Sequence, residues 1–256
     1  MTSHPDQIAL VTGAATRIGA AIARRLAGAG FAVVIHHRSK PDEAEALAAD
    51  IRESGARAAA VQSDLANRAQ RAGTIAAAAH HFGPLTLLVN NASSFDRDSA
   101  RDLDETLWDQ HFAIHAEAPA FLARDFAAQL PMDTKGNIIN LIDGRVLDLS
   151  PAFFSYTLSK SVLWTMTRTL AQSLAPNIRV NAIGPGPSVP PPGVTPEAHA
   201  KRNAELPLGH AAGAEEIADG IVAILGLPTM TGQMIALDGG EHLEWPARRG
   251  PTPRRK

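Results

Sequence analysis

The chain contains no cysteine, so disulfides, cysteine-ligated zinc and thiol catalysis are excluded. Tyrosine occurs once, at position 156, and aromatic residues make up only 5% of the 256 residues, too few for the stacking platforms that bind nucleic acid. A net charge of −2 offers no bulk attraction to nucleic acid or to an anionic membrane. No run approaches the roughly 18 consecutive apolar residues of a membrane span, and no basic start with an apolar stretch opens the chain. The ten histidines show no HExxH or similar spacing, and His36-His37 and His80-His81 are adjacent pairs whose side chains diverge. The expectation is a cytoplasmic protein that handles a small molecule without a metal, a nucleic acid or a membrane.

What is present is a regular alternation. Short apolar runs at Ile8–Thr12, Phe31–His36, the ARAAAVQSDL segment, Leu85–Val89, Asn137–Ile142, Ile178–Ile183 and Gln233–Leu237 read as strands. Between them, helical spacing marks the segment after Gly13, then Pro41 to Gly55, Arg68–Phe82, Leu103–Leu130 with a bend or break at Pro119, Tyr156–Leu174 and Glu215–Leu225. Alternating strands and helices predict a single doubly wound α/β domain, with a parallel sheet of about seven strands and helices on both faces. No flexible linker divides residues 1–245, and residues 246–256, PARRGPTPRRK, read as a basic disordered tail.

In such a sheet, ligands bind beyond the carboxyl ends of the strands. The turn TGAATRIG, from Thr12 to Gly19, lies there, and its small residues suit a tight bend that lets backbone N–H groups approach a pyrophosphate. After the second strand, His36-His37-Arg38-Ser39-Lys40 replaces the acidic residue that would pair with a ribose 2′-hydroxyl. That cluster of donors and cations favours the 2′-phosphate of NADP(H). Asp64-Leu65 and Asn90-Asn91-Ala92 follow the third and fourth strands and line the same cleft. Tyr156 and Lys160, four apart, share one helix face; an ammonium beside a phenol lowers the phenol's pKa and makes it a candidate acid/base.

Together TGxxxxIG, Asp64, NNA, YxxxK and Pro185-Gly186 resemble the short-chain dehydrogenase/reductase family over residues 7 to 240. The resemblance implies that Gly13, Arg17, Ile18, Gly19, His37, Arg38, Ser39, Asp64, Leu65, Asn91, Ala92, Tyr156, Lys160, Pro185, Gly186 and Ser188 bind NADP(H). Three details are similar to the pteridine reductase and bacterial dihydromonapterin/dihydrofolate reductase branch. Arg17 stands where most relatives have glycine, Ser93-Ser94-Phe95 follows NNA, and Asp143 takes the place of the serine upstream of the tyrosine.

A carboxylate at that place would repel a developing alkoxide but suits a heterocycle with protonatable nitrogens. The expected activity is therefore NADPH-dependent reduction of a pterin-type C=N bond. Asp143, Tyr156 and Lys160 would relay the proton, and Arg17, Ser93, Phe95, Asp143 and Tyr156 would hold the substrate. His115 occupies the position where the family has a water-holding asparagine, and is expected to hold that water or to titrate near neutrality. Competing readings are a carbonyl reductase acting on a ketone or 3-oxoacyl thioester, and a degenerate NADP(H)-binding sensor or scaffold. The resemblance also implies a homotetramer.

Overall fold

The computed structural model describes residues 7–190 and 193–243. The assigned tail, 246–256, lies outside the described residues. The strands are β1 (Ile8–Val11), β2 (Ala32–His37), β3 (Ala58–Gln62), β4 (Leu87–Asn90), β5 (Gly136–Leu141), β6 (Ile178–Pro185) and β7 (Met234–Leu237). They pair in parallel in the order β3-β2-β1-β4-β5-β6-β7.

Period-two alternation sends β1 side chains to opposite faces of the sheet. Ala9 and Val11 pack with Ile22 and Leu26 of α1 (Arg17–Gly28), Leu47 and Ile51 of α2 (Pro41–Glu53), and Ile217, Ile221 and Ile224 of the helix Ala214–Leu225. Ile8 and Leu10 pack on the other face with Ile75, Leu122 and Phe126. Each fully buried isoleucine or leucine contributes about 1.5–3 kcal/mol. Both faces are covered, which explains why the strands read as near-continuous apolar runs rather than alternating ones.

The segment Arg68–Phe82, expected as one helix, is two: α3 (Arg68–Arg71) and α4 (Thr74–Phe82), separated at Gly73. Asn67 caps α3 by accepting from the N–H groups of Ala69 and Gln70. The long middle helix is interrupted just before Pro119, which stands in the first turn of its second part. It runs as α5 (Glu105–Phe112), a π-helical turn (Ala113–Glu117) and α6 (Ala118–Gln129). Pro119 has no N–H to give the carbonyl four residues back, and the Ala118 N–H reaches to the Ala113 carbonyl instead.

The catalytic-motif helix α7 (Phe154–Ser173) begins two residues before Tyr156. A helix the sequence reading did not anticipate, α8 (Pro196–Asn203), follows the proline-rich stretch; Thr195 caps it by accepting from the Ala198 N–H. The helix Ala214–Leu225 is α9. The chain leaves β1 toward β2 on one side and returns to β4 on the other, so the crevice between the carboxyl ends of β1 and β4 is the switch point.

Candidate active site

A cleft of about 620 Å³ opens at that switch point. Its floor is the turn after β1. Gly13 adopts φ 61°, and a Cβ there would lie 2.9 Å from the Ala92 Cα. A Cβ on Gly19 would meet the Gly13 carbonyl at 2.5 Å and Asn91 Nδ2 at 2.6 Å. Asn91 ties this turn down, donating from Nδ2 to the carbonyls of Thr12 and Gly13 at 2.8 and 3.1 Å. The Thr12 hydroxyl accepts from the N–H groups of Asn91 and Ala92. Gly186 is equally confined, since a Cβ there would lie 2.7 Å from the Asp238 Cα.

The N-terminus of α1 has no side-chain cap and no acid in its first turn, leaving N–H groups aimed at the cleft as an anion site. Ile18, Asp64, Leu65, Ala92, Pro185 and Ser188 line the same cleft. Arg38 and Ser39 are exposed at its edge, and His37 Nδ1 is buried without a partner among the described residues. A confined glycine turn, free helix N–H groups, an orphan ring nitrogen and neighbouring cations fit a phosphorylated dinucleotide.

His36 does not belong to the cationic cluster. It is buried, accepts the Gly13 N–H at Nδ1 (3.1 Å) and donates from Nε2 to the Ser63 carbonyl (3.0 Å). Burial lowers its pKa to about 4, so it is a neutral strut between the glycine turn and the end of β3. Arg17, at φ 58°, sits in the left-handed region that explains the glycine of most relatives. Its guanidinium crosses the cleft and donates to the carbonyls of Val189 and Pro190 at 3.3 and 3.2 Å.

At the other end of the cleft, Tyr156 donates its hydroxyl to Asp143 Oδ2 at 2.9 Å. Asp143 Oδ1 accepts the Arg145 N–H at 2.8 Å. Lys160 donates to the Leu141 carbonyl at 2.8 Å and lies 5.8 Å from the centre of the tyrosine ring. The expectation that Lys160 depresses the phenol does not hold here. Burial raises the Tyr156 pKa well above 10, and the Asp143 charge and hydrogen bond add to the rise, because the proton is shared with a carboxylate rather than repelled by an ammonium. Burial also raises Asp143, against the pull of the Arg145 N–H and charge. Burial lowers Lys160 to about 8, with Asp143 opposing.

His115 is placed beside this pair with both ring nitrogens engaged. It lies in the π turn, fully enclosed, with its ring edge-on to Tyr156 at 5.3 Å. Nε2 accepts the Ser94 N–H at 3.2 Å and pairs with the Ser93 hydroxyl at 2.9 Å. This leaves the proton on Nδ1, which donates to the Ser159 hydroxyl at 2.9 Å; that hydroxyl in turn donates to the Tyr156 carbonyl. Both nitrogens are engaged, and burial, Lys160 and His111 lower its pKa well below 6.5. His115 is therefore a neutral strut for the SSF loop, with no nitrogen free for a relay water.

Phe95 lines the cleft, stacks on Phe153 at 4.5 Å and meets the Tyr156 ring edge-on at 4.8 Å. Sequence reasoning missed three members of this end. Phe153, at φ 58°, precedes α7, and Arg145 packs over both phenylalanine rings. Asp98 accepts the Ser155 N–H at 3.2 and 3.1 Å from its two oxygens, capping α7 from a separate loop. Only the position of Arg145 two residues past Asp143 could have hinted at any of these.

A doubly wound sheet whose switch point joins a dinucleotide cradle to a carboxylate–tyrosine–lysine group defines a nicotinamide-dependent oxidoreductase. The chain belongs to the short chain dehydrogenase family, whose profile matches residues 7–196. It is similar to the FolM alternative dihydrofolate reductase 1 of Brucella canis, solved with NADP, at 48% identity and a TM-score of 0.91, covering 97% of this chain and 96% of that one. The Brucella suis protein, also solved with NADP, matches at 48% identity and 0.91 over 97% and 98%. Pteridine reductase 1 of Leishmania tarentolae is 32% identical over 95% of this chain and 99% of its own length.

Proposed function

We propose that this protein is an NADPH-dependent reductase of a pterin-type heterocycle, adding hydrogen across a ring C=N bond. The observation that carries the reading is the 2.9 Å bond from Tyr156 to Asp143, a carboxylate where a carbonyl reductase needs a neutral donor. The glycine turn and the basic segment after β2 would hold NADPH, which would supply the hydride for the ring carbon. The chain's own residues manage the proton for the adjacent nitrogen. Burial shifts Asp143 toward its protonated form. In that form it donates to the Tyr156 oxygen and frees the phenol hydrogen for the substrate. One proton leaves the pair and Asp143 is left as the carboxylate, which the Arg145 backbone N–H and the Lys160 charge stabilise. Phe95 packs against the flat ring, and Ser93 and Arg17 complete the substrate wall.

We read the assembly as a homotetramer, with exposed Phe121 on α6 and Leu158 and Val162 on α7 as the apolar contacts that support it. Among the described residues no helix is long and apolar enough to cross a membrane, and the cytoplasm is the compartment that fits this reading. Residues 1–245 make up its single domain in this proposal. The test is NADPH oxidation with dihydrobiopterin, dihydrofolate and a 3-oxoacyl thioester. Turnover of the first two supports the proposal. Turnover of the thioester alone makes the protein a carbonyl reductase, and turnover of none makes it a binder.

A further inference from the structure

Arg145 has chemistry that the fold leaves unused. Its guanidinium lines the cleft, and its side chain is 18% exposed. Among the described residues its nearest acceptor is Asp143 Oδ1, and at 3.9 Å that contact is longer than a hydrogen bond. The Arg145 charge favours the Asp143 carboxylate, but both carboxylate oxygens already accept hydrogen bonds, one from the Arg145 backbone N–H and the other from Tyr156. The planar cation is fixed in place over Phe153 at 4.8 Å and Phe95 at 5.8 Å. The fork of N–H donors therefore opens onto the cleft without an acceptor within hydrogen-bond distance among the described residues. It is well explained if a ligand supplies the acceptor.

We propose that Arg145 is a substrate-recognition residue that donates to the ring carbonyl oxygen lying beside the nitrogen that Tyr156 protonates. The inference rests on the pterin reading and names the edge of the ring that is recognised. In a 4-oxo-dihydropteridine, a carbonyl oxygen and a ring nitrogen of the reducible C=N bond project side by side. Arginine reads the comparable oxygen-and-nitrogen edge of guanine. Here the two functions fall to neighbouring groups: Arg145 lies 3.9 Å from Asp143, and Asp143 lies 2.9 Å from the Tyr156 hydroxyl. Binding the oxygen thereby selects which C=N bond meets the proton donor. Arg145 thus acts on orientation, while Asp143 and Tyr156 act on the proton.

The experiment compares wild type, Arg145→Lys and Arg145→Met with 7,8-dihydrobiopterin and with a dihydropteridine lacking the 4-oxo group, and measures NADPH affinity alongside. The expected result is a KM for dihydrobiopterin raised about tenfold or more in Arg145→Met, as for loss of a charge-assisted hydrogen bond. Arg145→Lys recovers part of that loss, and NADPH affinity is unchanged. With the des-oxo compound, wild type itself shows the raised KM and Arg145→Met adds nothing. An unchanged KM in Arg145→Met overturns the proposal. Equal wild-type KM for the two substrates does the same, and needs no variant to fold. If wild type turns over no dihydropteridine, the pterin reading fails and Arg145 recognition fails with it. That outcome is distinct from turnover that ignores Arg145.

Discussion

Acid should loosen this protein at a definable place. His36 is neutral in the fold, where burial holds its pKa at about 4, whereas a free histidine has a pKa of about 6.5. Below about pH 6.5 the unfolded chain takes up a proton at this residue that the folded chain refuses. Stability is therefore present above that pH and lost as pH falls toward 4. With these values, lowering the pH from 7 to 5 costs about 2 kcal/mol through His36 alone. Protonation also places a second N–H where Nδ1 accepts the Gly13 N–H, so the glycine turn loses its anchor.

The variant is His36→Asn, whose side-chain oxygen can still accept from Gly13 but whose pKa problem is gone. Urea unfolding at one protein concentration, at pH 7 and pH 5, gives the two differences. Buried His115 and His111 also have lowered values and contribute acid loss of the same sign in both proteins. The comparison of the two proteins cancels their part. The variant is expected to be less stable at pH 7, having lost the Ser63 bond, yet to lose about 2 kcal/mol less than wild type on going to pH 5. Equal pH dependence in the two proteins would refute the neutral-strut assignment.

Three further outcomes follow from the same geometry. Tyr156→Phe is expected to lose turnover by about 10²–10⁴-fold while NADPH titration stays unchanged, and an active variant removes the phenol from the chemistry. Asp98→Ala leaves the buried Ser155 N–H without an acceptor and is expected to cost about 1–3 kcal/mol in thermal or urea unfolding. Asp98→Asn, which keeps an acceptor, recovers most of it. Gly19→Ala drives a methyl group to 2.5 Å from the Gly13 carbonyl, so NADPH binding measured by fluorescence is expected to fall well before secondary structure does.

Much of the scaffold was legible because its signals are local. Strands buried on both faces leave apolar runs, and the glycine turn, Asn91, Tyr156 and Lys160 stand at fixed distances from strand ends. The protonation states were not local in this sense. His36 looks like a donor for phosphate in HHRSK, but its partners Gly13 and Ser63 lie 23 and 27 residues away, and they make it neutral. Tyr156 looks activated by Lys160, but Asp143 accepts its hydrogen bond and burial raises its pKa. His115 matched a family position, yet Ser94 and Ser159 occupy its nitrogens. Helix α8 carried a readable start in Thr195-Pro196-Glu197, hidden by the proline-rich stretch before it.

The π turn at Ala113–Glu117 sets the rotational phase between the two halves of the middle helix. Within it His115 faces the tyrosine, while Glu117 reaches the other way to Arg68 and Arg71 at 2.7 and 2.8 Å. A π turn holds one residue more than the α-helical turn it replaces. Were the turn to tighten to regular α-helix with no residue lost, the phase of everything before it would shift by about 100° relative to α6. His111, which now stacks on His115 and bonds Ser155, would swing off the start of α7. The extra residue of this turn is thus what holds α5 in phase with the proton-donor end of the cleft.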